Sequence, residues 1–397
     1  MSFTTTILQW FEENGRTLPW RETRDPYAIW LSDIILQQTR IEQGRPYWER
    51  FMQRWPTVEA LAEASEDEVL RQWQGLGYYS RARNLHAAAK QIVARGGFPT
   101  TLEGLRALKG VGDYTAAAIG SFAFGLPAAV VDGNVYRVLA RHYGIDTPIN
   151  TTEGKHLFAA LAQSLLNDIA AHGDCPPRKG DCPPVLSKLS SLNSQLPPSA
   201  DYNQALMDFG AIQCTPQSPN CPSCPLQETC VAFREGRIGE LPVKQRTLKV
   251  KERHLTYIYI RYHGETALRR RPSGDIWQGL YEPLVIDNGQ WTSLRKATLS
   301  KRERHTLKER MDNWAAQNNY QLSIVNCQLL ASQVKHVLTH RVLYADFWLW
   351  EPNERPALPD GYFWVSEADL DRFAVPRLIE KLIREILSLR VWRCERG

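Results

Sequence analysis

The chain has 397 residues, of which 43% are hydrophobic and 23% charged, and it carries a formal net charge of +5. That length holds two or more domains with ample core, and that hydrophobic content excludes a disordered polymer. The net charge permits a polyanionic partner without requiring one.

The first residues, Met1 to Gly15, read as an amphipathic helix with Ile7, Trp10 and Phe11 inward, and they carry no signal-peptide pattern. A second helix opens at Asp25 with Pro26 in its first position and runs through Trp30-Leu-Ser-Asp-Ile-Ile-Leu-Gln-Gln-Thr39. Tyr27, Leu31, Ile34, Ile35 and Gln38 share one of its faces. If that helix continued, Glu42 would lie about 180° from Asp33, on the opposite face. Further helices are expected at Glu66 to Gln74 and Ser80 to Arg95.

Thr100 and Glu103 form a capping-box pattern that opens a short helix to about Leu108. Gly110 and Gly112 break it, and a second helix runs from Asp113 to Phe124, stopped by Gly125 and Pro127. A turn poor in side chains that opens a helix presents backbone N–H groups and a positive dipole end to an anion such as phosphate. Asp132 follows an apolar run and precedes a helix from Asn134 to His142. It reads either as a helix N-cap or as a carboxylate kept ionised by that helix start. The longest apolar stretch, Ala116 to Val131, is cut by Gly120, Gly125 and Pro127 and so is core, not a membrane span.

Helices continue at Gly154 to Ala171 and Asn203 to Ile212. Between them residues 174–199 form a biased insert in which Asp-Cys-Pro-Pro occurs twice, read as a mobile loop with Cys175 and Cys182 as free thiols. Cys214, Cys221, Cys224 and Cys230 lie in the spacing x6-x2-x5, separated by Pro216, Pro219, Pro222 and Pro225. Prolines at that density prevent a helix, and four thiolates gathered in one loop suit zinc or an iron–sulfur cluster. Spacing alone puts zinc ahead.

Residues 1–236 therefore read as one all-α domain and 237–253 as a basic linker. In residues 254–397 the period changes. Leu255 to Tyr262 alternates, His263-Gly264 turns, and Ala267 to Arg271 returns. Val342 to Trp350 and Tyr362 to Val365 are further strands, and Pro376 to Leu389 is a terminal helix. The fold class is thus multidomain, all-α followed by α+β.

Leu-x-Gly-Val-Gly-x-Tyr-Thr-Ala followed by Val-Asp-Gly-Asn-Val resembles the helix-hairpin-helix and aspartate of base-excision DNA glycosylases, and the likeness to the MutY-type adenine glycosylases extends over nearly the whole chain. The resemblance implies a monofunctional adenine DNA glycosylase that acts on adenine opposite 8-oxoguanine in double-stranded DNA. It further implies a monomer without membrane attachment, in the bacterial cytoplasm with the nucleoid. The cysteine spacing matches the family's four-iron cluster, which moves the preference from zinc to one [4Fe-4S] group held by Cys214, Cys221, Cys224 and Cys230. The C-terminal part resembles the family's Nudix-like domain, but no Gly-x5-Glu-x7-Arg-Glu run is present, so nucleotide-diphosphate hydrolysis is not implied.

Cleavage of a purine N-glycosidic bond needs an acid for the departing base and an anion for an oxocarbenium-like sugar, two roles that suit carboxylates with separated pKa values. By resemblance the acid is Asp33 and the anion Asp132. Family members carry Glu at the first position, so Asp33 is one methylene shorter; either the pocket is shaped to it, or the enzyme is slowed or altered. Tyr114 stands where bifunctional relatives such as endonuclease III carry a Schiff-base Lys, and it is expected against the sugar, with Asn134 beside Asp132. Gln204 is implied to read the adenine edge, with Leu18, Trp20, Arg21 and Ile41 lining the pocket. Gln38 and Tyr78 match the groups that wedge into the duplex, and Gly110 and Gly112 match the backbone contacts. Arg81 and Arg83 are expected on phosphates. In the second domain Leu338, Thr339 and His340 resemble the loop that senses 8-oxoguanine. The rival readings are an endonuclease III-like glycosylase and AP lyase, and a catalytically impaired lesion-binding iron–sulfur protein.

Overall fold

A computed structural model describes residues 2–173, 198–245, 250–287 and 327–394. All but the last two residues of the expected insert, with Cys175 and Cys182, lie outside the described residues. No helix among the described residues is long and apolar enough to cross a membrane. The chain forms two compact units, one of Met1–Glu63 with Asn84–Arg246 and one of Ala64–Arg83 with Thr247–Gly397.

The first unit is helical. Helix α1 (Phe3–Asn14) is capped by Ser2 and buries Ile7, Leu8 and Trp10. Helix α2 (Pro26–Leu36) is capped by the Asp25 side chain, as the Asp-Pro start demands. It ends at Leu36 and not at Thr39, because Gln37 turns extended (ψ 118°) and Gln38 takes a positive φ of 57°. Helix α3 (Ile41–Arg54) and the short α4 (Val58–Glu63) follow. The chain then runs through α5 (Glu66–Trp73), which belongs to the second unit, into α6 (Ser80–Ala94).

Helix α7 (Leu102–Arg106) is capped by Thr101 Oγ1, which accepts from the Gly104 N–H; the cap is thus one residue later than the Thr100–Glu103 pattern suggests. Gly110 has φ +78°, and a Cβ there would meet the Asn84 side chain at 2.7 Å. Helix α8 (Asp113–Phe124) starts at Gly112 and stops at the left-handed Gly125. Helix α9 (Gly133–Tyr143) is capped by Asp132, and α10 (Thr152–Gly173) and α11 (Pro198–Asp208) complete the bundle. The last continues as a π-helical turn, Phe209–Gln213, and α12 (Val231–Arg234) follows the cysteine loop. Helix α2 packs on α8 and α1 on α11, around a core that includes Ile7, Leu139, Phe158, Tyr202 and Phe209.

The second unit contains two sheets. Strands β1 (Lys251–Ile260), β4 (Leu284–Asp287), β5 (Cys327–Val337) and β6 (Arg341–Trp350) form one in the order β4-β1-β6-β5. Strands β1 and β6 are parallel, from Lys251↔Arg341 to Ile260↔Trp350. Strands β2 (Glu265–Arg270), β3 (Tyr281–Glu282) and β7 (Tyr362–Ser366) form the other, in the order β3-β2-β7. Helix α13 (Arg377–Cys394) buries Leu378, Ile379, Leu382 and Ile386. β5 has no counterpart in the sequence reading, because register shifts between Leu329 and Val334 interrupt its alternation. Helix α5 carries a full capping box, with Ser65 and Glu68 bonded to each other's backbone N–H.

On β3 Glu282 is fully buried between Arg269, at 2.9 Å, and Arg271, which also pairs with Asp275. A buried carboxylate stripped of its principal cation costs far more than the pair contributes. Arg271→Met is therefore expected to destabilise this unit by about 3–5 kcal/mol, read as a lower denaturant midpoint for its unfolding, with the helical unit's transition unmoved.

Candidate active site

Three helix positions in the first unit deliver acidic and phenolic groups to one cavity of about 980 Å³. Asp33 comes from the third turn of α2, Tyr114 from the first turn of α8, and Asp132 from the residue that opens α9. Trp20, Arg21, Gln38, Ile41, Asn134 and Gln204 line the same cavity. Leu18 does not line it; it is buried in the helical core at 6% exposure. Glu42 also lines the cavity, and the break at Gln37–Arg40 is the reason. With α2 ended at Leu36, the periodicity that put Glu42 on the far face no longer applies.

The two carboxylates are held differently. Asp132 Oδ1 accepts from the N–H groups of Asn134 and Val135, each at 2.8 Å, and its Oδ2 accepts from Asn134 Nδ2 at 2.8 Å. Burial pushes the Asp132 pKa up; these three donors and the nearby Arg137 guanidinium pull it back. Asp33 accepts from the side chains of Thr115, Tyr114 and Gln37, and Gln37 Nε2 also donates to Thr115 Oγ1 at 3.1 Å. Its Oδ2 is buried and has no partner among the described residues. Burial, reinforced by the charge of Asp132, pushes the Asp33 pKa up to about 6 against those three donors. The charge of Asp132 raises the Asp33 pKa, so the two groups are coupled. Burial and both carboxylates raise the Tyr114 pKa well above its ordinary value, so its hydroxyl stays a donor, and Asp33 is its acceptor.

Sequence reasoning missed several supporting groups. Arg21 is locked by a fork to the fully buried Asp208, with both bonds at 2.8 Å, and Arg16 bonds the same carboxylate. Burial alone would raise the Asp208 pKa, but the Arg21 and Arg16 donors outweigh it and hold it below the carboxylate range. Asp208 lies one helical turn beyond Gln204, a spacing that would have linked them. Arg137 donates to Asn134 Oδ1 at 2.8 Å, to the Gly210 carbonyl at 2.6 Å and to the Cys214 carbonyl at 2.7 Å. A hydrogen-bonded path therefore runs from Asp132 through Asn134 and Arg137 to the cysteine loop. Gly210 must be glycine, because a Cβ there would meet Asn134 Cβ at 2.6 Å.

Cys214, Cys221, Cys224 and Cys230 are half-buried and free of disulfides. Burial raises the pKa of Cys221, Cys224 and Cys230, and in each the Cys214 thiol raises it further, which places all four within electrostatic reach of one another. Among the described residues no three metal-binding side chains converge around a single ion. Arg141, 2% exposed, donates to Cys214 Sγ at 3.4 Å and to the Thr215 and Pro216 carbonyls, so a buried cation backs the loop.

In the second unit Tyr78, 46% exposed with φ +47°, shares a hydrogen bond with Thr339 Oγ1 in the exposed β5–β6 turn. Leu338 is half-buried in that turn, where its N–H donates to the Arg341 carbonyl, and His340 is exposed. Arg81 stacks over Trp73 and Tyr78, and Arg83 donates to the Gln278 carbonyl at 2.7 Å.

This coupling is open to direct measurement. Carboxyl-carbon titration of Asp33 by NMR is expected to show a midpoint near pH 6 that falls in Asp132→Asn, where the neighbouring charge is gone. An unmoved midpoint would mean that the two groups are not coupled.

Residues 31–163 match the HhH-GPD superfamily of base excision DNA repair proteins, and residues 256–385 match the NUDIX domain. The adenine DNA glycosylase of Buchnera aphidicola subsp. Baizongia pistaciae is 30% identical over 347 residues, which cover 86% of this chain and 84% of that protein. The mouse adenine DNA glycosylase is 39% identical over 251 residues, covering 60% of this chain, so this chain spans only 43% of the mouse protein's length. Among solved structures, a thermostable thymine-DNA glycosylase aligns with a TM-score of 0.47 and 28% identity over 59% of this chain and 95% of that one.

Proposed function

Because the chain belongs to the adenine DNA glycosylase family, we propose that it hydrolyses the N-glycosidic bond of adenine paired with 8-oxoguanine in duplex DNA. The observation that carries this reading is the pair Asp33 and Asp132, which line one cavity, Asp33 buried with one oxygen unpartnered among the described residues and Asp132 held by three donors. The adenosine leaves the stack to reach them. As the C1′–N9 bond breaks, its electron pair goes to the purine, and Asp33 gives that base its proton. The Asp132 carboxylate stabilises the positive charge on the sugar. Water then adds oxygen to C1′ and loses a proton, which restores Asp33.

Gln204, Arg21, Trp20 and Ile41 form the walls for the base. Arg21 is pre-set by Asp208 and loses little side-chain entropy on binding. Tyr114 has no amine with which to form a Schiff base, so the product is an abasic site and not a cleaved strand. Gly112, where a Cβ would meet nothing within 4 Å, leaves the start of α8 open to a phosphate, and Gly110 shapes the turn before it. Tyr78 and Gln38 are the wedges, and Leu338, Thr339 and His340 the sensors of the opposite base.

We infer that the four clustered thiols hold one [4Fe-4S] group, which supplies a structural cross-link to a proline-rich loop that has little core of its own. Arg141 offsets the negative charge of Cys214 there. The purified protein is expected to carry about four irons per chain, and Cys224→Ser to lose iron and melt at a lower temperature.

The activity is tested by single-turnover release of adenine from an adenine:8-oxoguanine duplex, with strand scission read before and after alkali. Strands are expected to break only after alkali; breakage without it at the rate of base release would establish a lyase. Asp33→Asn and Asp132→Asn are each expected to lose at least about 10²-fold in rate. The wild-type rate is expected to fall tenfold per pH unit above about pH 6, because the acid must keep its proton to act. Duplex binding without any release would leave only a lesion-binding protein.

A further inference from the structure

Segment 64–83 belongs to the second unit through bonds at both ends of α5: the Val375 N–H donates to Gln74 Oε1 at 3.3 Å at its C-terminal end, and the first turn is held by more. Tyr281, buried on β3 with its ring against Phe363 and Phe373, donates its hydroxyl to Asp67 Oδ2 at 2.9 Å. Arg270 Nη2 bonds Glu66 Oε1 at 2.8 Å and pairs with Asp67 Oδ1 at 3.1 Å. Between them Gly279, with φ +82°, brings the chain against the helix so closely that a Cβ would meet Leu70 Cδ1 at 3.2 Å and Glu66 Oε1 at 3.3 Å.

At the other end of α5 the backbone turns through Gly75 and Gly77, both at positive φ, to Tyr78, a non-glycine residue in the same left-handed region. Trp73 Nε1 donates to the Gly77 carbonyl at 2.9 Å, and the Arg81 guanidinium lies over both the Trp73 and Tyr78 rings. A half-exposed aromatic ring in an unfavourable backbone conformation keeps its place only if its surroundings hold it there. The helix that leads into it is held at its first turn by Tyr281 and Arg270, while its own hydroxyl is held by Thr339.

We propose that Asp67, Tyr281 and Arg270 form a positioning clamp for Tyr78, so that the wedge and the turn that carries Thr339 are set by the same body. The proposal rests on the reading of Tyr78 as a duplex wedge. None of the three clamp residues lines the cavity of Asp33 and Asp132, and their effect on base release is indirect. They act before chemistry, on how the duplex is engaged.

The test uses the full-length chain and a duplex with adenine opposite 8-oxoguanine and 2-aminopurine beside the 8-oxoguanine, where unstacking by Tyr78 raises fluorescence. Tyr281→Phe removes one hydroxyl and keeps the ring packing; Asp67→Asn keeps the helix and removes the charge. Each is expected to bind this duplex about tenfold more weakly, the size of one hydrogen bond to a charged group, with a smaller fluorescence rise. Adenine release at saturating protein is expected to stay within about twofold of wild type, since the reacting groups are untouched. In a Tyr78→Ala background, Tyr281→Phe is expected to add nothing, because the ring that the clamp positions is gone.

Unchanged binding and fluorescence in both variants, or losses that multiply with that of Tyr78→Ala, would overturn the clamp. So would a wild-type protein that binds without any fluorescence rise. A wild-type chain that unstacks the probe but releases no adenine would instead overturn the glycosylase reading and leave the clamp standing.

Discussion

The helical unit brings two carboxyl groups into one cavity, where the charge of Asp132 raises the pKa of Asp33. Asp132 is held by backbone N–H groups at the start of α9 and by the Asn134 amide. Those donors are oriented for a negative charge and cannot serve a protonated acid as well. Asp33 is buried near that charge, so its proton is retained to about pH 6. The hydroxyls of Tyr114 and Thr115 and the Gln37 amide fix its orientation while leaving one carboxyl oxygen without a partner. The helix-hairpin-helix arrangement of α7 and α8 brings Tyr114 and Thr115 to this point through the same turn that leaves Gly112 open.

The support for Asp132 extends well beyond its own helix. Asn134 is oriented by Arg137, which is also bonded to carbonyls of Gly210 and Cys214. The π-helical turn at Phe209–Gln213 carries Gly210 to within contact of Asn134 and leads straight into Cys214. A disturbance of the cysteine loop therefore reaches the carboxylate through hydrogen bonds alone. Arg141, one turn after Arg137 on α9, binds the same loop from its other side. One helix face thus serves both the site and the loop, and the loop, rich in proline, depends on those arginines for its shape.

The second unit shows how ion pairs specify position more than stability. Exposed pairs such as Arg270 with Glu66 contribute little free energy each. They act together with the part-buried Tyr281–Asp67 bond and the close approach at Gly279 to hold the first turn of α5. The Glu282–Arg271–Asp275 cluster holds the loop that carries Trp277, whose ring lies 6.1 Å from that of His336 at the end of β5. The turn that carries Thr339 thus meets Tyr78 directly, and the strand that leads into it meets Trp277.

The start and stop of α8, the capping of α9 by Asp132 and the cysteine loop were legible from local pattern, because caps, glycines and proline spacing act over a few residues. The end of α2 was not, because Leu-Gln-Gln-Thr has no breaker and the turn there comes from tertiary packing; with it went the placement of Glu42. Nor was β5 legible, since its bulges hide the alternation that marks a strand, or the partnership of Arg21 with Asp208, which joins residues 187 apart. The sequence by itself determined which side chains are carboxyl, phenol and thiol and how they are spaced, since that is fixed residue by residue. Only the tertiary structure decided how burial and neighbouring donors act on each carboxyl and which arginines are already engaged, because burial and through-space charge depend on neighbours that the chain brings together only on folding.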